Sequence, residues 1–124
     1  MILVDTRVVM DDLRTGDAVL LAIFQPHHAA ICGTTRAEVL NGARSPTDRQ
    51  QLLAALNTFG QVPIPDTLWD TIGDNLANLR SRGVTLPFAD VVIATVAIEN
   101  DLELWTRDTQ FARVQAVFSC LTLF

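Results

Sequence analysis

The sequence predicts an α/β fold: a three-layer α/β/α sandwich built on a central parallel sheet. Three observations lead there. Met1–Val4 and Ala29–Cys32 are short apolar runs without polar alternation, which is how strands buried on both faces read. Such runs alternate with stretches of helical periodicity, as in successive βα units. The most apolar segment, 88–100, is rich in β-branched residues, but its length and three alanines (Ala89, Ala94, Ala97) make it a helix buried on nearly every side.

The elements follow in order. Met1–Val4 is a strand that ends at Asp5-Thr6. Arg7–Arg14 reads as a short helix with Val9, Met10 and Leu13 inward and Asp11, Asp12 and Arg14 outward, stopped by Gly16. Asp17 caps a second short helix, Ala18–Phe24, and Gln25–His28 is a turn. Ala29–Cys32 is a second buried strand closed by Gly33. Thr35-Arg36-Ala37-Glu38 has the form of a capping box, opening a helix to about Ala43. After the loop Arg44–Asp48, with Ser45, Thr47 or Asp48 as N-cap, a helix spans about Arg49–Phe59. Its face is Leu52, Leu53, Leu56 and Phe59, and Gly60 is its stop.

Val62-Pro63-Ile64-Pro65 is extended, at most an edge strand given its two prolines. Asp66 caps a long helix to about Arg82 with Trp69, Ile72, Leu76 and Leu79 on one face, and Gly83 ends it. Leu86-Pro87 opens the apolar helix, with proline tolerated near the first helical position. Leu102–Thr106 is a strand, Gln110–Val114 a helical turn, and Cys120–Phe124 a last apolar strand.

The 124 residues suit one domain with a self-sufficient core. With 49% hydrophobic and 19% charged residues the chain is globular in composition. No run reaches a membrane span and no signal peptide opens the chain, so the cytoplasm is the expected compartment. Cys32 and Cys120 fall in no metal-ligand spacing and read as two buried thiols. The net charge of −5 argues against a general nucleic-acid clamp. All nine basic residues are arginine, a side chain suited to phosphate forks.

Four acids stand where the chemistry of a site belongs. Asp5 ends the first strand, Glu38 lies in the first turn of the helix after the second, Asp90 lies in the first turn of the apolar helix, and Asp108 follows the strand 102–106. In a parallel α/β sheet such positions gather at one edge, where ligands bind. Each has a structural explanation by itself: a capping box for Glu38, complementing a helix dipole for Asp90, and a turn or N-cap for Asp108. Asp5 has the fewest structural uses. If the four converge, each pair at ~6 Å repels by roughly 1–3 kcal/mol, so the cluster must take up protons or cations. Oxygen-only ligands favour Mg²⁺ or Mn²⁺, ions that activate water and clamp a phosphodiester.

Other signals are weaker. His27-His28 reads as a surface turn and Asp11-Asp12 as a solvated face. There is no serine–histidine–acid pattern, no GxGxxG and no Walker loop. The absence of lysine excludes a phosphoacceptor receiver domain, whose sheet is of this kind.

Taken in order, Met1-Ile2-Leu3-Val4-Asp5-Thr6, Ala37-Glu38-Val39-Leu40-Asn41-Gly42, Leu86-Pro87-Phe88-Ala89-Asp90 and Leu104-Trp105-Thr106-Arg107-Asp108 resemble the motifs of a PIN-domain ribonuclease of the VapC type, the toxin of a toxin–antitoxin pair. The resemblance covers nearly the whole chain. It implies that Asp5, Glu38, Asp90 and Asp108 hold Mg²⁺ or Mn²⁺ and activate water to cut single-stranded RNA, leaving a 5′-phosphate and a 3′-hydroxyl, with Thr106 as the supporting hydroxyl. It also implies a homodimer and a VapB-like antitoxin whose C-terminal segment enters the groove. One position departs from the pattern. After Asp5-Thr6 the family usually has a small hydroxyl residue or asparagine, and here it is Arg7. A guanidinium there is expected to repel a cation and pair with Asp5, weakening metal binding, or else to face the substrate phosphate. Arg7 is also what favours the alternative of a non-catalytic PIN-like scaffold with a degraded metal site.

Overall fold

The computed structural model describes residues 1–15 and 28–124. Over these the chain runs β1 (Ile2–Val4), α1 (Thr6–Thr15), β2 (Ala29–Cys32), α2 (Gly33–Asn41), α3 (Pro46–Leu56), β3 (Gly60–Val62), α4 (Leu68–Ser81), α5 (Phe88–Glu99), β4 (Glu103–Trp105) and α6 (Phe111–Val117). The helix expected over 18–24, its Asp17 cap and the turn residues 25–27, including His27, lie outside the described residues.

The four strands form one sheet in the order β3-β2-β1-β4, and every pairing is parallel. The two runs without alternation, β1 and β2, are its interior strands, as their lack of a polar face requires. Successive side chains point to opposite faces. Leu3 therefore joins Cys32, Leu68, Ile72, Val92, Leu104 and Phe111 on one face. Val4, Ala29 and Ile31 join Val8, Val9, Val39 and Leu56 on the other. Helices α4, α5 and α6 cover the first face and α1, α2 and α3 the second, which gives the expected three layers.

Helix α5 is the centre of the first layer. Seven consecutive residues, Val91 to Ala97, are buried, so no stripe of it faces water. Its one polar residue in that run, Thr95, is satisfied: the hydroxyl donates to the Val91 carbonyl at 2.7 Å and accepts from Asn75 Nδ2 of α4 at 3.0 Å. No helix among the described residues is long and apolar enough to cross a membrane.

Several local readings are corrected. Strand β2 passes into α2 without a loop, so the N-cap is Cys32 and makes no side-chain cap. Gly33 opens that helix rather than closing the strand. The capping box is therefore absent: Thr35 is buried, and Glu38 lies in the second turn. Ser45 does cap α3, accepting from Asp48 N at 3.0 Å. Phe59 lies beyond that helix, buried in the turn that follows. Gly60 begins edge strand β3 instead of ending a helix; a Cβ there would stand 3.4 Å from Ala30 Cβ.

On α4 the buried row is Leu68, Ile72 and Leu79, while Trp69 is 43% exposed. Ile72, Leu76 and Leu79 of the expected face do pack on the core, and at the helix start Leu68 takes the place expected for Trp69. Asp66 precedes the N-cap, which is Thr67 and makes no side-chain cap bond. Gly83, at φ +74°, ends the segment as expected. The last apolar stretch makes only a single parallel bridge, Leu104 to Leu123, beside β4. Cys32 is buried but Cys120 is exposed. His28 is exposed, as a surface turn requires.

Candidate active site

Parallel strands put all their carboxyl ends on one edge, and the chain uses that edge four times. Asp5 follows β1 directly. Glu38 stands on α2, entered straight from β2. Asp108 follows β4 after Thr106 and Arg107. Between α4 and α5, residues 82–87 return the chain to the same edge, where α5 begins and carries Asp90. All four expected acids line a single cleft of about 660 Å³, together with Arg7, Asp11 and Arg14 of α1.

Asp5 is the anchor. It is a buried carboxylate, and each oxygen accepts one hydrogen bond. The Thr6 backbone N–H donates to Oδ1 at 2.7 Å and the Thr106 hydroxyl donates to Oδ2 at 2.8 Å. Thr106 in turn accepts from the Asp108 backbone N–H at 3.0 Å. Thr106 thus fixes both the Asp5 side chain and the turn that presents Asp108. That turn is closed by Asp108 itself, whose Oδ1 accepts from Gln110 N at 2.9 Å.

A second support was not legible from the motifs. The Thr6 hydroxyl donates to Glu38 Oε1 at 2.7 Å and lies 3.3 Å from the buried Thr35 hydroxyl. Its signal is only that a hydroxyl residue follows Asp5. Asp11, expected on a solvated face, lines the cleft and pairs with Arg107 at 2.9 Å, tying α1 to the loop after β4.

The carboxylates sense one another. Burial raises the Asp5 pKa above its ordinary range; the Thr106 and Thr6 hydrogen bonds oppose this, and the charges of Asp108 and Glu38 add to it. Asp90 is pushed up to about 6, by burial first and then by the charges of Asp5, Asp108 and Glu38, with Arg7 pulling in the opposite direction. Burial first, and mutual repulsion second, favour the protonated carboxyls at this strand edge, a cost that a divalent cation there would offset.

The donor set is all oxygen, carboxylate and hydroxyl, which fits a hard divalent ion such as Mg²⁺ or Mn²⁺. Among the described residues, no three side chains close into a ready-made metal cage. Such an ion retains part of its water shell, so it does not require a closed protein cage.

Arg7 is exposed and lines the cleft. The expected ion pair with Asp5 is not formed: Asp5 is engaged by Thr6 and Thr106. Among the described residues the salt bridge is that of Arg107 with Asp11.

The PIN domain family model matches residues 2–117. Among solved structures, the chain resembles VapBC from Salmonella typhimurium bound to DNA, with TM-score 0.84 and 17% identity, over 100% of this chain and 98% of that chain. It resembles VapBC2 from Rickettsia felis, bound to a promoter DNA fragment, with TM-score 0.81 and 18% identity over 100% and 98% of the two chains. These two likenesses bear on the fold alone. A toxin–antitoxin complex from Klebsiella pneumoniae matches at 28% identity and TM-score 0.68, over 90% of this chain and 91% of that one. A comparison with curated proteins finds no match.

Proposed function

The chain belongs to the PIN-domain family, and from that premise we propose that it is a metal-dependent endoribonuclease, the toxin of a toxin–antitoxin pair. The observation that carries the reading is the convergence of Asp5, Glu38, Asp90 and Asp108 on one cleft, with Asp5 and Glu38 each held by a threonine hydroxyl.

In this reading Asp5, Asp90, Asp108 and Glu38 hold Mg²⁺ or Mn²⁺. The ion, when bound, lowers the pKa of a water and offsets charge on the phosphate oxygens. The protein's part is placement. Thr106 and the Thr6 N–H leave each Asp5 oxygen a lone pair for the cleft. The Thr6 hydroxyl holds Glu38 at the cleft wall, and α5 carries Asp90 to the same cleft. Hydrolysis forms a bond from the water oxygen to phosphorus and breaks the P–O3′ bond. The water proton passes to a cleft carboxylate and the departing O3′ takes up a proton, giving a 5′-phosphate and a 3′-hydroxyl.

The partners follow from the same reading: a single-stranded region of RNA as substrate, a VapB-like antitoxin that covers the groove, and a second copy of the chain. Support for the antitoxin is the likeness to the Klebsiella pneumoniae toxin–antitoxin complex. Cleavage of end-labelled RNA with Mn²⁺, abolished by chelator and leaving 5′-phosphate ends, tests the proposal.

Arg7 favours a second reading, a PIN-like scaffold whose metal site is degraded. That reading predicts no cleavage of tRNA, rRNA or single-stranded RNA at any Mg²⁺ or Mn²⁺ concentration.

A further inference from the structure

The cleft does not end at the carboxylates. Arg7, Met10, Asp11 and Arg14 of α1 line it at spacings of three, four and seven residues, which is one face of the helix. Met10 and Arg14 also line a second cleft of about 240 Å³, which continues past Val39 and Gly42 to Arg44. The two clefts are therefore neighbours that share Met10 and Arg14, in the C-terminal half of α1, as common wall.

Arg7 lines the cleft with the four carboxylates, Arg14 stands two turns further along α1 with Asp11 between them, and Arg44 lines the second cleft with Asp48. All three arginines are exposed. Among the described residues none of the three is in a salt bridge, and Asp11 on the same helix face pairs with Arg107. Asp48, the carboxylate lining the second cleft, accepts the Arg44 backbone N–H at 2.9 Å. Arg7 and Arg14 are separated by about 10 Å along the helix axis, a spacing within reach of nearby phosphates on an extended strand. In an acidic chain, three exposed guanidinium groups beside an acidic cleft, none in a salt bridge among the described residues, are a local concentration of positive charge. Guanidinium forks are the side chains that hold phosphate bidentately.

We propose that these two neighbouring clefts are the path of the single-stranded RNA, with Arg7, Arg14 and Arg44 holding successive parts of its phosphate backbone as it leaves the carboxylate cleft. The inference rests on the nuclease reading and adds the direction in which the substrate lies. It makes Arg14 and Arg44 substrate-positioning residues remote from the chemistry, and it gives Arg7 a function compatible with cleavage.

The test is RNA binding rather than turnover. Anisotropy of a fluorescein-labelled single-stranded oligoribonucleotide is titrated with the full chain carrying Asp5→Asn, at fixed Mg²⁺ and several NaCl concentrations. Each phosphate neutralised on a single strand contributes about 0.7 to the slope of log K against log salt. Arg14→Ala and Arg44→Ala are each expected to flatten that slope by about 0.7, with an unchanged melting temperature. Arg80→Ala, on α4 in a separate cleft, is expected to leave it unchanged. A parent chain that binds RNA with the same slope in Arg14→Ala and Arg44→Ala overturns this path and spares the nuclease reading. A parent chain that does not bind RNA overturns both.

Discussion

The Thr106 hydroxyl donates a 2.8 Å hydrogen bond to Asp5 Oδ2 across 101 positions of sequence. The pair is possible because β4 lies directly beside β1, with Val4 opposite Trp105. The two strands end level, and the residues just past their ends meet over the cleft.

Thr106→Val keeps the shape and removes the donor. It leaves a buried carboxylate oxygen short of one partner and frees the Asp108 turn. Loss of a residue that orients ligands typically lowers metal affinity or activity 10- to 100-fold, and the missing bond costs about 1–2 kcal/mol of stability. Thr106→Ser, which restores the hydroxyl, is expected to recover most of the activity. Cleavage rates and denaturant melts of the two variants check this, and equal losses in both would contradict it.

The raised pKa of Asp90 makes stability depend on pH. Folded, the group ionises near pH 6, against an ordinary value of 3.8, so over this window the folded chain holds a proton that the unfolded chain releases. The associated stability is present in full below about pH 3.8 and is lost as pH rises through about 6. Asp5 shifts in the same direction. In metal-free buffer, Asp90→Asn is therefore expected to match the wild type at pH 4 and to exceed it at pH 7.5. Allowing for the partial exposure of Asp90, the gain is about 1–2 kcal/mol. Melting curves across this range are the measurement, and parallel pH profiles for the two proteins would contradict the account.

Arg7 lines the cleft, in no salt bridge among the described residues, and lowers the pKa of Asp90. A unit charge ~8 Å from a divalent ion contributes roughly 1–4 kcal/mol for an effective dielectric constant of 80 to 20. Arg7→Ser is thus expected to tighten Mg²⁺ or Mn²⁺ binding by about fivefold or more, read by calorimetric titration or by the metal-induced rise in melting temperature. Unchanged affinity would show that Arg7 does not weaken the metal site.

The sheet and the four acids were legible because both depend on short-range pattern. Strands buried on two faces show no polar alternation, as in Met1–Val4 and Ala29–Cys32, and parallel order then sends Asp5, Glu38, Asp90 and Asp108 to one edge. What was misread depends on tertiary contact. Thr35-Arg36-Ala37-Glu38 fits a capping box locally, but β2 runs straight into α2 and turns Thr35 inward toward Thr6. Trp69 fits the expected face of α4 by spacing, yet packing against α5 selects Leu68 instead. Asp11 finds its partner Arg107 only through the fold, 96 positions away.

The central claim is that the four carboxylates form one metal-dependent nuclease centre. Its most direct test is Mn²⁺-dependent cleavage of single-stranded RNA by the wild type, Asp5→Asn and Asp90→Asn, with each variant shown folded by circular dichroism. Cleavage by the wild type, abolished by chelator, is expected, with a loss of at least about 100-fold in each variant. Wild-type rates in either variant, or cleavage that persists in excess chelator, would contradict it.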